Sequence, residues 1–180
     1  MKLDHLNDET IKEILMIQDR LKVMDAKSES RDSFLGYIKH VWPEFIEGEH
    51  HRLFAQKLED VAKGKIKRLI VNMPPRHTKS EFASVYFPSW FMGLKPNTKI
   101  MQTTHTAELS VRFGRKVRNL MDQNEYKQLF DDFGLSADSK SAGRWETNKG
   151  GEYFAAGVGG AITGRGADLL IIDDPHSEQD

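Results

Sequence analysis

Two short stretches decide how the chain folds: residues 69–81, which read LIVNMPPRHTKSE, and residues 169–174, which read LLIIDD. In the first, an apolar run ends at two prolines, and a polar segment then opens a predicted helix. In the second, four apolar residues end in two acids. Each apolar run has the pattern of a strand, and residues 99–103 (KIMQT) predict a further short strand between them. Both stretches therefore predict a strand whose carboxyl end carries charged side chains.

Helical and extended patterns alternate in the same part of the chain. Apolar residues recur at helical spacing over residues 80–91 and 106–120. Residues 145–156 have the pattern of a hairpin that turns around residues 148–151, NKGG. Strands that alternate with helices predict an α/β fold with a mainly parallel sheet covered by helices on both faces.

Helices are predicted to precede this sheet. Residues 1–33 predict an N-terminal helix that ends in a polar linker at 27–33, and residues 34–180 predict the α/β domain. Within that domain, apolar spacing predicts short helices over 34–42 and 50–61. The first of these is expected to end at Pro43.

Composition excludes several classes of protein. The chain has 180 residues, enough for one α/β domain, and its 26 Lys+Arg against 27 Asp+Glu leave a net charge of −1. Any basic surface must therefore be local. The absence of cysteine excludes disulfides, thiolate metal sites and cysteine nucleophiles. No apolar run has membrane-spanning length and the start, MKLDH, is too polar for a signal peptide, so we expect a cytoplasmic protein that has no membrane partner and is not secreted.

The loop between the first predicted strand and its helix has the placement of a phosphate site. Its backbone N–H groups and the helix N-terminus are expected to point toward an anion. Lys79 can supply an ammonium for phosphates and Ser80 a hydroxyl for Mg²⁺. The candidate nucleotide-binding residues are Pro75, Arg76, His77, Thr78, Lys79 and Ser80. The alternative is an ordinary connection between a strand and a helix, with a surface lysine.

Two positions depart from the usual phosphate-loop pattern, G-x-x-x-x-G-K-[ST]. Met73 and Thr78 stand where that pattern has glycine. Since a β-branched residue strongly disfavours a positive φ, we expect the backbone of Thr78 to keep a negative φ.

The acidic strand end is predicted to hold a divalent cation. In ATPases with a phosphate loop, an apolar strand that ends in acids, like Asp173 and Asp174 here, holds Mg²⁺ and orients water. The alternative is a strand end with solvated acids. Both sites follow predicted strands in the order that nucleotide-binding domains use, and together they indicate nucleotide binding more strongly than either does alone.

Residues 69–81 resemble the variant Walker A motif of the large terminase subunits of tailed bacteriophages. Residues 157–175, GVGGAITGRGADLLIIDDP, are similar to that family's approach to Walker B. The resemblance extends from about Trp42 to Asp180. It implies the N-terminal part of the subunit, a P-loop NTPase domain of the ASCE/RecA-like type. Because the family continues with a coupling motif and a nuclease, we expect the domain to be truncated at its C-terminal end.

The resemblance also implies roles for individual residues. Lys79 and Ser80 would hold the phosphates and Mg²⁺, and Asp173 would be the Walker B acid. Asp174 would position the attacking water, although many members have glutamate at that position. Arg76 would face the γ-phosphate.

Four further residues are weaker candidates. Glu178 is an alternative catalytic acid. Trp42 and Phe45 fall where the family approaches the adenine, with a role in the core as the alternative. Arg165, between two glycines, is a possible coupling or trans-acting arginine, and an ordinary position in a loop is the alternative.

The implied function is a motor that hydrolyses ATP, with Mg²⁺ as cofactor, to move double-stranded viral DNA into a procapsid in the host cytoplasm. The implied partners are the portal protein, the small terminase subunit and further copies of the chain in a ring. Two alternatives remain, a helicase-like P-loop ATPase and a nucleotide-binding fragment without turnover. We expect the isolated chain to be a weak or inactive ATPase.

Overall fold

The structure is a computed structural model and describes residues 8–137, 141–160, 162 and 164–176. The chain forms an α/β fold. The helices are α1 (Asp8–Asp32), α2 (Phe34–Val41), α3 (Glu49–Ala62), α4 (Lys79–Glu81), α5 (Phe87–Leu94), α6 (Ala107–Met121) and α7 (Asn124–Leu129), and a π-helical segment (Phe82–Tyr86) joins α4 to α5. The strands are β1 (Lys99–Thr104), β2 (Arg144–Glu146), β3 (Glu152–Gly157) and β4 (Leu169–Asp173).

The four strands form one open mixed sheet in the order β2-β3-β1-β4. β1 pairs in parallel with both β3 and β4, whereas β2 pairs antiparallel with β3. The predicted strand at residues 99–103 and the predicted hairpin are both confirmed. The sheet is therefore parallel at its centre and antiparallel at the edge that the hairpin forms.

One face of the sheet carries the hydrophobic core. Ile100 lies beside Tyr153 on β3 and beside Leu169 on β4, so all three side chains point to the same face. They are buried together with side chains from α2, α3 and α5–α7. Trp145 stacks on Tyr153 with ring centroids 4.8 Å apart and donates its indole N–H to the carbonyl of Gly114 on α6. This face is where the helices pack.

The expectation of helices on both faces is wrong for the described residues. On the second face, Arg165 lies over the ring of Phe154, while Leu170 and Ile172 of β4 remain 54% and 59% exposed. The described part of the connection from β3 to β4 contains no helix that could cover them. The apolar run of β4 is thus buried on one side only.

A group of aromatic rings joins α2 to the helical stretch that begins at Lys79 and continues through α5. Phe34, at the start of α2, is fully buried. Its ring lies 5.6 Å from that of Phe82, 5.8 Å from that of Phe87 and 5.2 Å from that of Trp90. Two of these contacts are edge-to-face, a favourable geometry for aromatic pairs. Phe34 is therefore the centre of this part of the core.

The strand predicted at residues 69–71 is wrong. Leu69 and Val71 pack partly against the core and Ile70 is 87% exposed, so the side chains alternate as in a strand. However, residues 66–74 pair with no other strand. A strand needs a neighbour to hydrogen-bond its backbone, and the described residues supply none here.

The linker predicted at residues 27–33 is also wrong, because α1 continues to Asp32. The segment contains neither glycine nor proline to break the helix, and Lys27 forms an ion pair with Asp131 at 2.6 Å. Ser33 then accepts a hydrogen bond from the Gly36 N–H and caps α2. No helix in the described ranges, α1 included, is both long enough and apolar enough to cross a membrane.

Candidate functional site

The basic loop, residues 75–80, meets the acidic strand end, Asp173 and Asp174, at the carboxyl end of β4. The ammonium of Lys79 forms an ion pair with the carboxylate of Asp174, and it lies 3.8 Å from the nearer carboxylate oxygen of Asp173. Asp173 is buried, whereas the Asp174 side chain is 65% exposed. The fold thus brings together the two stretches that the sequence singled out.

Ser84 takes part in this arrangement and was not expected from the sequence. Its hydroxyl, fully buried, donates a hydrogen bond of 2.9 Å to the second carboxylate oxygen of Asp173. Ser80, partly buried in the first turn of α4, lies four residues earlier and so shares a helix face with Ser84. That i, i+4 relation is the signal by which the sequence could have revealed Ser84.

The available oxygen ligands suit Mg²⁺ when a nucleotide is also bound. Asp173 offers a buried carboxylate and Ser80 a hydroxyl, both of them hard ligands. The described residues contain no group of three His, Asp or Glu side chains that could hold a metal ion by themselves. Mg²⁺ typically takes one or two carboxylates, waters and substrate phosphates. The site therefore fits a cation that arrives with its phosphates.

The loop backbone adopts the left-handed conformation twice without a glycine. The φ angles are +64° at Arg76 and +62° at Thr78, and a third positive φ, +43°, occurs at Asp174. The expectation of a negative φ at Thr78 is therefore wrong. A left-handed residue with a Cβ costs roughly 1–2 kcal/mol, so neighbouring contacts must hold Thr78 in place. Arg76 and His77 are exposed, and His77 donates from Nδ1 to the Pro75 carbonyl at 2.9 Å.

His51 on α3 supplies such a contact. Its Nδ1 accepts a hydrogen bond of 2.9 Å from the Gly48 N–H, so the proton of the neutral ring is on Nε2. Nε2 lies 2.8 Å from the Thr78 hydroxyl oxygen, and that hydroxyl donates to the His77 carbonyl at 2.6 Å. Each proton in this series of three hydrogen bonds has one acceptor. His51 in one neutral tautomer therefore braces the left-handed Thr78.

Burial and the neighbouring His50 lower the pKa of His51, and Glu47 opposes the shift. Because the folded-state pKa lies below its ordinary value of 6.5, the unfolded chain binds this proton more readily than the folded chain does. The stability that neutral His51 contributes is fully present above pH 6.5. It is lost as the pH falls from there through the folded-state pKa.

We expect His51→Gln to reduce the loss of stability that occurs as the pH falls below 6.5. Urea unfolding at about pH 7.5 and about pH 5.5 should show a larger fall in the free energy of unfolding for the parent chain than for His51→Gln. His105→Gln, at an exposed histidine, is the matched control and should behave as the parent. Equal falls for the parent and His51→Gln would contradict the bracing role of His51.

Trp42 and Phe45 form an aromatic wall that leads to this histidine. Trp42 stacks on Tyr86 with ring centroids 5.5 Å apart, and Phe45 lies 5.3 Å from Trp42. Phe45 also contacts the ring of His51 edge-on at 4.8 Å. Both residues are partly buried against the core, and Phe45 is the closer of the two to the loop through His51. Whether either contacts an adenine stays a prediction.

Arg165 lies on the second face of the sheet, near the amino end of β3. Its guanidinium is 4.2 Å from the centroid of the Phe154 ring and 3.3 Å from the carboxylate of Glu152, at the start of β3. The structure does not bring it to the site at the end of β4. Glu178, the second candidate for the catalytic acid, lies outside the described residues.

Fold and site define an α/β protein in which a basic loop and an acidic strand end share the carboxyl edge of an open sheet. Comparison of the chain with protein-family models, with curated proteins and with solved structures finds no match. A functional assignment therefore depends on the residues of this chain and on the motif resemblance described above.

Proposed function

We propose that the chain binds Mg²⁺–ATP at the carboxyl edge of its sheet, as a P-loop ATPase domain of the large terminase type. The observation that carries the proposal is the position of Lys79. It opens the helical stretch that follows the proline-rich loop, and its ammonium reaches both acids at the end of β4. A loop that binds phosphates and an acidic strand that binds the cation must meet in this way.

Nucleotide binding would exchange the partner of Lys79. In the free protein its ammonium is paired with the exposed Asp174. The triphosphate of ATP carries more negative charge than one carboxylate and offers charge-assisted hydrogen bonds, which are the strong ones. The lysine then turns from Asp174 to the phosphates, while backbone N–H groups of residues 76–80 supply further donors.

The same exchange would free Asp174 for catalysis. Once its ammonium partner has left, the Asp174 carboxylate can accept a hydrogen bond from a water molecule and orient that water toward the γ-phosphate. Arg76 is exposed on the same loop and can stabilise charge on the phosphates. Mg²⁺ at Asp173 and Ser80 would neutralise charge on the β- and γ-phosphates.

The coupling to DNA is supported by the motif resemblance alone. The stretch at 69–81 and the stretch at 157–175 resemble the terminase motifs in order and in residue type. Packaging of double-stranded DNA into a procapsid, with portal, small subunit and ring partners, is the function that this resemblance favours. A helicase-like ATPase, or a binding fragment without turnover, is the alternative.

Isothermal titration calorimetry with ATP and ADP, each with and without Mg²⁺, tests the binding proposal. We expect a dissociation constant in the micromolar range or weaker, about −8 kcal/mol or less in magnitude, with Mg²⁺ strengthening the binding. Phosphate release should stay well below about 1 s⁻¹, with or without double-stranded DNA. The absence of any heat of binding at millimolar nucleotide would contradict the proposal.

Asp174→Asn should separate binding from turnover. Loss of the carboxylate removes the partner that holds Lys79, so the affinity for Mg²⁺–ATP should stay the same or rise. Any phosphate release by the parent chain should fall by about 10²-fold or more, because the water loses its positioning group. Calorimetry and a phosphate-release assay measure the two effects. Asp174→Glu is the control and should retain part of the turnover. If Glu178→Gln abolished turnover and Asp174→Asn did not, Asp174 would not be the catalytic acid.

A further inference from the structure

The middle of α1 is an exposed helix with an unusual apolar content. Every side chain from residue 15 to residue 26 is exposed. Six of them are large and apolar, and each is more than half exposed: Leu15, Met16, Ile17, Leu21, Val23 and Met24. Three of them, Ile17, Leu21 and Met24, lie within about 60° of one another around the helix. Exposed apolar surface of this kind typically marks an interaction site. The nucleotide site does not involve this segment.

Four apolar residues of α1 follow the spacing of a coiled coil. Ile14, Ile17, Leu21 and Met24 are separated by three, four and three residues, which are the a and d positions of two heptads. The helix meets the rest of the chain on another side, where Lys27 pairs with Asp131 and Ser30 is partly buried. At 3.6 residues per turn, that side lies roughly 130° around the helix from the apolar seam. Ile17, Leu21 and Met24 are more than half exposed and Ile14 is partly buried, so most of the seam is open to a partner.

We propose that the partner is α1 of a second copy of this chain, in a parallel two-stranded coiled coil. An a/d seam is self-complementary, because knobs of one helix fit holes of an identical one. The flanking charges support the same occupant. With Ile14 and Leu21 at a, Arg20 occupies a g position and Asp25 the following e position. In a parallel pair, Arg20 of each helix faces Asp25 of the other.

The antiparallel arrangement is less favourable for the same charges. With Ile14 opposite Met24 of the other helix, the two Arg20 side chains would face each other and repel. Within the described part of the chain, neither Arg20 nor Asp25 forms an ion pair, so both are available across the dimer. Two heptads are fewer than the three or four that a stable coiled coil uses. The dimer is therefore weak and depends on concentration.

Sedimentation velocity of the full chain without nucleotide, from about 10 to about 500 µM, tests the proposal. We expect the weight-average mass to rise toward that of two chains. Leu21→Glu should raise the dimer dissociation constant by about tenfold or more. Val23→Glu is the matched control, since Val23 is at least as exposed but lies off the seam, and it should dimerise as the parent does. A monomer throughout, or equal effects of the two variants, would overturn the proposal.

The orientation has its own test, because the chain contains no cysteine. Leu21→Cys should form a disulfide-linked dimer under mild oxidation, since a positions face each other in a parallel pair. Val23→Cys should not. Arg20→Glu should weaken the dimer, and Arg20→Glu combined with Asp25→Lys should restore it. Failure of Leu21→Cys to crosslink by itself, together with crosslinking of an Ile17→Cys, Leu21→Cys double variant and no rescue by the charge swap, would overturn the parallel arrangement. Circular dichroism checks that each variant keeps its helix.

Discussion

Replacing Lys79 by alanine is expected to lower the affinity for Mg²⁺–ATP by about 10- to 100-fold. A hydrogen bond to a charged group contributes about 1.5–3 kcal/mol, and the Lys79 ammonium is the cation that the structure places beside the acids of the strand end. Calorimetry on the parent and on Lys79→Ala measures the difference. Lys79→Arg should recover only part of the affinity, because a planar guanidinium does not reproduce a compact ammonium.

The control for this experiment is Lys57→Ala, which removes an exposed lysine of α3 at a distance from the loop. It should bind nucleotide as the parent chain does. Because Lys79→Ala also leaves Asp173 and Asp174 without their cation, its fold should be checked by circular dichroism before titration. Unchanged nucleotide affinity in a folded Lys79→Ala variant would remove the assignment of a phosphate loop.

Replacing Phe34 by alanine is expected to cost about 3–5 kcal/mol of the free energy of unfolding. The ring is fully buried and contacts the rings of Phe82, Phe87 and Trp90 at once. Its removal leaves a cavity at the junction between α2 and the helix that carries the loop. Since a domain is stable by only about 5–15 kcal/mol, the loss is a large part of the total. Urea unfolding followed by circular dichroism measures it.

Leu53→Ala provides the matched control, because Leu53 is a large apolar residue of α3 that is 60% exposed. Its effect should remain within about 0.5 kcal/mol. Phe34→Leu should fall between the two, since it keeps most of the apolar volume. A loss below about 1 kcal/mol in Phe34→Ala would show that the N-terminal helices contribute little to the stability of the core.

Elements with strong local signals could be predicted from the sequence. The helix after residue 106 begins as expected, because the Thr106 hydroxyl accepts a hydrogen bond from the Leu109 N–H. The hairpin turns at Gly150, whose φ of +82° suits glycine. α3 runs from residue 49 to residue 62, close to the prediction, and Gly64 follows it with a φ of +75°. In each case neighbours in sequence supply the physical cause.

Predictions that depended on distant partners were less successful. The pattern of residues 69–71 is that of a strand, but pairing requires a neighbour that only the whole fold can supply. The apolar run at residues 169–172 predicts burial on both sides, yet half of it is exposed because no described helix covers the second face. The polar segment at 27–32 is helical, and its Lys27 pairs with Asp131, a partner far along the chain that the local pattern does not reveal.

The candidate site divides in the same way. The sequence by itself determined the candidate residues for the proposed chemistry: a lysine and a serine that open a helix, and two acids that close an apolar strand. Only the tertiary structure decided that Lys79 pairs with Asp174, that Ser84 holds Asp173, and that His51 braces Thr78. Residue type and local spacing set propensity and charge within a few residues. Contacts between residues far apart in the chain depend on how the helices and the sheet pack, and that packing is also what holds Thr78 in a backbone conformation that a threonine alone would avoid.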